Sequence, residues 1–396
     1  MTRQSEDLPL TDSHLGRAAR LHEDGFTFDF VPMGGPIIMS PRHGEVMRRE
    51  LARGAPLGEV LRAMMNDRLV EVGEIPAIRQ QLAESWRRSG VKTIQATLGG
   101  IEVDPCGWDA IVRDLASYAH AERVSGLLRI CRDADDLRRA AADGVLGVLL
   151  GTQDASWCEN RFDRLDTAYQ AGLRVLQVTY NQRNLFGDGC SEPANAGLSR
   201  QGEALVRRAD ELGVILDVSH CGYRTSLETI QASRRPVAVT HAACRSLNPH
   251  PRAKPDDILG ALRDRGGYMG IVAIPAFLRA DEENASIDDM VRHLEHAAAI
   301  VGIDNVGIAT DWGGVTPDLP DELAEATRQA FVRAGFKPQE LPRIGAAPAG
   351  FETWEHWPCI TAALLHAGYD DDTVRGLIGG NWLRFMERHA HLAVNG

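Results

Sequence analysis

Eight apolar runs separated by amphipathic stretches constrain the fold more than any other feature of this chain. They cover residues 25–34, 91–99, 145–151, 173–181, 213–220, 236–241, 267–274 and 305–314. Most are continuous rather than alternating, which is how strands buried on both faces read. The segments between them carry helical periodicity, among them 161–170, 198–212, 223–232, 255–265 and 287–301. Asn160, Ser199 and Ser286 stand where a side chain can cap a helix start, and Pro255 suits a first turn. Strands alternating with helices in this number predict a closed parallel (β/α)8 barrel, a TIM barrel of the α/β class, over an open sheet. At 396 residues and 44% hydrophobic, the chain can build that barrel as one domain, 1–396, with insertions.

Two stretches break the rhythm. Residues 36–90 read as an insertion over the barrel mouth followed by the first barrel helix. Residues 317–350, rich in Pro, Ala and Gly, read as a lid-like or surface excursion. Segments 360–368, 371–379 and 381–384 read as helices closing the outside of the barrel.

In a parallel barrel, chemistry gathers at the carboxyl ends of the strands. Two of the runs end in histidine, at His220 and His241, and imidazoles on neighbouring strands can share one metal ion. Asp311 closes the last run, where a carboxylate is costly to bury unless it is paired or functional, so it is a candidate general base. Gln153 lies just beyond the third run and is a further candidate metal ligand, although amide oxygen binds zinc weakly. Tyr180 and Asn181 end the fourth. Arg252, in the loop after His241, could hold a substrate carboxylate in a bidentate fork. Asp188 and Glu192 could shape a pocket rim, with a polar turn as the plainer reading. Cys221 and Cys244 read as small packing residues.

The formal charge of −12 argues against nucleic acid and anionic membrane as partners. The seven cysteines show no CxxC spacing, which fits reduced thiols in a cytoplasmic protein. No run reaches membrane-spanning length, and the polar first residues do not read as a secretory signal.

Several longer motifs carry a resemblance. They are AGLRVLQVTYN ending at Asn181, ELGVILDVSH ending at His220, PVAVTHAACR ending at Arg245, VGIATD ending at Asp311, and GGNWLR ending at Arg384. Together they resemble the membrane (renal-type) dipeptidase family, peptidase M19, over about residues 91–384. The resemblance implies an amidohydrolase-like barrel with two zinc ions that cleaves dipeptides, an activity of the EC 3.4.13 type. By position, His220 and His241 match the two histidines of its second zinc site. Asp311 matches the aspartate that assists proton transfer, and Arg252 the arginine that holds the substrate carboxylate. A homodimer is suggested by analogy alone.

Three departures set this chain apart. The family's first strand carries a His-x-Asp pair, and here it reads Phe28-Asp-Phe-Val-Pro-Met33, with Asp29 as a possible remnant of the motif's flank. The bridging glutamate falls on or near Gln153, and a histidine that contacts the reacting carbonyl falls at Tyr180. The expectation is therefore a metallohydrolase with one divalent ion per chain, zinc foremost, on His220 and His241, with Gln153 or Asp311 and water completing the shell. Asp311 would act as base, Tyr180 as oxyanion donor, and Arg252, Tyr180 and Asn181 as binders of a small amide with a free carboxylate. The alternatives are a non-peptidase C–N hydrolase or lyase on the same scaffold, or a metabolite-binding pseudoenzyme. His43 and Glu45, in the 36–90 segment, are further potential ligands.

Overall fold

The computed structural model describes residues 10–32, 41–99, 107–311, 321–333, 335–343 and 346–391. The strand-end positions Met33, Gly100 and Trp312 and residues 36–40 and 317–320 lie outside the described residues.

All strand pairing is parallel. The strands are β1 (Phe28–Phe30), β2 (Thr93–Leu98), β3 (Leu128–Cys131), β4 (Leu146–Thr152), β5 (Leu173–Gln177), β6 (Ile215–Asp217), β7 (Ala238–Ala242), β8 (Tyr268–Ile271) and β9 (Val306–Ile308). Eight of them, all but β3, follow one another as neighbours from β1 to β9, and these coincide with the eight apolar runs. The ends of the path meet: Asp311 N donates to Phe30 O (3.2 Å), and Asp29 accepts from Thr310 N (2.7 Å) and Thr310 Oγ1 (2.8 Å). The result is a nearly closed (β/α)8 barrel. Strand β3 is the element the sequence reading lacks. It pairs with the first half of β4, from Leu128↔Leu146 to Cys131↔Leu149, while β5 pairs with the second half. Four residues with an arginine among them carry too little periodicity to read as a strand.

The continuous apolar runs follow from two cores, one on each side of the barrel wall. Val148, Leu176 and Leu216 pack outward against helices, while their neighbours Leu149, Val175 and Ile215 belong to a second cluster with Phe28, Phe30 and Tyr268. Side chains alternate across a strand, so a wall packed on both faces needs an apolar residue at every position. The helix Asn381–His391 closes the second cluster: Trp382 lies edge-on to Phe30 (4.6 Å between centroids) and stacks on Phe385 (5.1 Å). Asn381 Nδ2 donates to Ile303 O (2.8 Å) and Val306 O (2.7 Å). The GGNWLR motif therefore closes a structural seam and carries no chemistry of its own.

The helix starts behave largely as expected. Ser199 accepts from Gly202 N, Ser286 forms a reciprocal capping box with Asp289, and Pro255 stands immediately before Asp256–Asp264. Asn160 does not cap. Its helix begins at Phe162 after Arg161, which turns its guanidinium onto Asp163 instead. Between β1 and β2 stand the helices Pro41–Ala52, Leu57–Glu74 and Pro76–Ser89, and the later excursion contains the helix Asp321–Arg333. Among the described residues no helix is long and apolar enough to cross a membrane.

Candidate active site

Five strands deliver the site, four of them with residues just past the strand end. Gln153 follows β4, Tyr180 and Asn181 follow β5, His220 follows β6, His241 lies within β7, and Asp311 follows β9. Arg252 returns from the loop beyond β7. All of these except His241 line one cavity of about 640 Å³, and His241 lies directly behind His220. A glycine shapes the approach: a Cβ on Gly189 would come within 2.2 Å of Tyr180 O, so only a bare backbone lets that loop fold over Tyr180–Asn181.

The two histidines face each other, Nε2 to Nε2, at 2.9 Å, and both are buried. Their other ring nitrogens decide the protonation. His220 Nδ1 lies 2.7 Å from Asn181 Oδ1, an oxygen that can only accept, so Nδ1 carries the proton. His241 Nδ1 lies 2.7 Å from Thr240 Oγ1, whose own proton goes to Asp217 Oδ2 (2.7 Å). Asp217 is held in turn by Ser219 N and Ser219 Oγ. His241 must therefore also donate from Nδ1, which leaves two bare Nε2 lone pairs pointed at each other. Such a contact is repulsive unless the two nitrogens share a cation, and a metal ion would have to lie to one side of the line between them.

A proton is poorly suited to that role. Burial, with Arg252 and Lys254 nearby, pushes both imidazoles well below their ordinary value. The arrangement fits a divalent ion on two imidazole nitrogens, with Asp217 acting through Thr240 to orient one of them. Among the described residues no three His, Cys, Asp or Glu side chains converge to hold a metal, and the end of β1 presents Val31 and Pro32 where donors would be needed. Remaining coordination positions would fall to neutral oxygen.

Arg252 is 1% exposed. It donates to Ser219 O and, through Nη2, to His241 O (3.3 Å), while its Nε–H has no hydrogen-bond partner among the described residues. A buried guanidinium with an unpartnered N–H beside a cavity is an anion-seeking group. Asp311 keeps part of its surface open, yet burial of its carboxyl group raises it to about 7 against the opposing pull of Arg252, with Asp29 and Asp217 adding to the rise. Its backbone is left-handed (φ 49°), as is that of Val31 (φ 50°) across the same seam. For a β-branched residue this is a strained conformation, of the kind concentrated at functional sites.

The remaining expected residues take more varied places. Tyr180 stacks on the His220 ring (4.1 Å between centroids, 20° between planes). Asn181 lines the cavity, but its side-chain oxygen is committed to His220, so it supports the histidine. Gln153 Nε2 donates to Thr97 Oγ1 (3.3 Å). Asp188 is bound by Arg183 and Ala196 N, and Glu192 accepts from Arg183 N, so both build the rim turn. Glu45 is exposed on the helix Pro41–Ala52, and nothing is described of the His43 side chain. Six described cysteines are free thiols, and Cys221 and Cys244 are buried.

Asp29 is a clamp. Fully buried, it accepts from Thr310 N, Thr310 Oγ1 and Trp354 Nε1 (2.9 Å), and burial raises its carboxyl to about 6 despite those bonds. Asp29→Asn replaces one acceptor oxygen with an amide that faces donors. We expect it to lower unfolding free energy by about 1–3 kcal/mol, read as a urea midpoint, with the metal content of the folded protein unchanged. Sequence reasoning also passed over Lys254, which is buried on Cys221 O (2.9 Å) and Ser226 Oγ (3.1 Å), and the aromatic rings Phe277, Phe331 and Phe336. The polar–apolar pattern of those segments holds no signal for a shared cavity.

Comparisons with known proteins agree with this barrel. Residues 112–332 match the membrane dipeptidase family, peptidase family M19. The dipeptidase verJ of Clonostachys rogersoniana is 27% identical over 270 residues, covering 67% of this chain but only 61% of its own length. A Klebsiella pneumoniae protein described as an uncharacterized protein in the pqqA 5′ region is 30% identical over 287 residues, 70% of this chain and 93% of its own. An amidohydrolase from Pseudomonas aeruginosa superposes with a TM-score of 0.72 at 26% identity, over 94% of this chain and 98% of its own. The chain belongs to the membrane dipeptidase family, peptidase family M19.

Proposed function

We propose that this chain is a metal-dependent hydrolase of the dipeptidase type. It acts on a dipeptide or small amide with a free carboxylate and holds one divalent ion, zinc foremost, on His220 and His241, with Gln153 as a neutral third ligand. The observation that carries the reading is the pair of facing Nε2 lone pairs beside a cavity that the Arg252 guanidinium helps to line. When bound, the ion supplies Lewis acidity to the reacting centre.

Arg252 anchors the substrate carboxylate and so fixes where the scissile amide lies. Asp311 accepts the proton of the attacking water and returns it to the departing amine as the C–N bond breaks. Tyr180 donates to the oxygen that gains charge. The free thiols fit a cytoplasmic setting. The whole chain would work as one domain, and a homodimer is the assembly to look for by light scattering.

The test is turnover by the zinc-loaded chain on dipeptides and N-acyl amino acids. Asp311 must be ionised to act, so its activity is lost as pH falls through its pKa. We expect kcat/KM to rise with pH as Asp311 ionises, with a midpoint below about 7 because the bound cation favours the carboxylate. Asp311→Asn removes this limb and lowers kcat by at least about 100-fold. Silence on every amide, with turnover of another C–N substrate, would move the site to the hydrolase or lyase alternative.

A further inference from the structure

We propose that this site selects an apolar, preferably aromatic, side chain on the residue that bears the substrate carboxylate. The inference rests on the reading of Arg252 as the carboxylate anchor. The cavity is divided by chemistry: its polar groups lie at the strand ends, whereas Ile274, Phe277, Phe331, Phe336 and Pro342 supply the rest of its wall.

The aromatic part of that wall is fastened to the anchor itself. The guanidinium carbon of Arg252 lies 5.5 Å from the centre of the Phe277 ring. His250, two residues before Arg252, packs against Phe277 (4.5 Å between centroids) and stacks on Phe336 (6.1 Å), which meets Phe331 edge-on (5.9 Å). Hydrogen bonds hold His250 at both nitrogens. Its Nδ1 accepts from Arg252 N (3.1 Å), so its Nε2–H donates to Glu340 O (2.9 Å). Glu340 is thereby tied to the arginine loop, and Phe331 and Phe336 line the same cavity as Arg252.

A ligand whose carboxylate sits on Arg252 carries its α-substituent only a bond or two away. On the side away from Ser219 O and His241 O, the guanidinium faces the Phe277 ring, and Phe336 and Phe331 continue that apolar wall of the cavity. A benzyl or branched aliphatic substituent gains contact there, and a polar one loses water without replacement. In apolar pockets a difference of one methylene already discriminates by roughly 10- to 200-fold.

Calorimetric titration of the zinc-loaded full chain tests this without turnover. The probes are both enantiomers of N-acetylphenylalanine, N-acetylglycine and N-(2-phenylethyl)acetamide, which lacks the carboxylate. One enantiomer of N-acetylphenylalanine should bind at least tenfold more tightly than N-acetylglycine, and N-(2-phenylethyl)acetamide more weakly than that enantiomer. Phe336→Ala, and the gentler Phe336→Leu should the first unfold the segment, narrow the gap between the two acids. Equal affinity for both acids overturns the selection while leaving the carboxylate site standing. No binding of either acid overturns the selection and the Arg252 reading together. A clear preference without turnover of any amide upholds the selection and removes only the hydrolase reading.

Discussion

Alanine at both His220 and His241 should release the bound metal and abolish turnover. Protein purified without a histidine tag or chelator is expected to carry about one divalent ion per chain, and the double variant none. The two imidazoles are the only donors whose lone pairs the surrounding hydrogen bonds expose in pairs among the described residues, since Asn181 and Thr240 hold both Nδ1 protons. Losing the ion forfeits several kcal/mol of transition-state stabilisation, on the order of a thousandfold in rate. Elemental analysis on folded protein, with circular dichroism as the control, reads the result. Two ions per chain in the wild type would mean that the first metal site has been rebuilt from other ligands. No ion after reconstitution with zinc would leave the pair as a polar core contact and favour a metabolite-binding protein.

Arg252→Lys should be nearly as damaging, and in a distinguishable way. An ammonium has its three donors on one atom, so it cannot reach both Ser219 O and His241 O and still present a planar fork to a carboxylate. Truncating one side of a buried charge pair costs about 2–5 kcal/mol, so KM should rise about 100-fold with a smaller change in kcat. The discriminating readout is the ratio of rates on a free-acid substrate and its C-terminal amide. Wild type should favour the acid strongly, and Arg252→Lys should erase that preference. A preference that survives would show that the carboxylate is held elsewhere and that Arg252 only ties β6 to β7.

Much of the architecture was legible in the chain itself. Burial on both faces of a barrel wall forces an apolar residue at nearly every strand position, so each run announces its strand without help from distant residues. The strand ends were legible for the same reason. His220, His241 and Asp311 stand where an apolar run stops, and a polar group there must face the barrel mouth or be paired. Ser199 and Ser286 were readable as caps because a cap depends on its own helix and little else. Strand β3 was not, because its four residues become a strand only by pairing with half of β4.

What the sequence by itself determined, then, is the barrel and the set of chemical groups at its mouth, since both follow from local pattern. Tertiary structure alone decided what those groups do. Asp29 looked like a relic of a metal motif and is a clamp across the barrel seam, because Thr310 and Trp354 reach it from the far end of the chain. The Nε2 lone pairs are exposed only because Asn181 and Asp217, on different strands, settle where the protons sit. Phe331 and Phe336 are ordinary excursion residues until contacts with His250 bring them into the cavity that Arg252 lines. Protonation, burial and cavity shape depend on contacts between residues far apart in sequence, and no local pattern encodes those contacts.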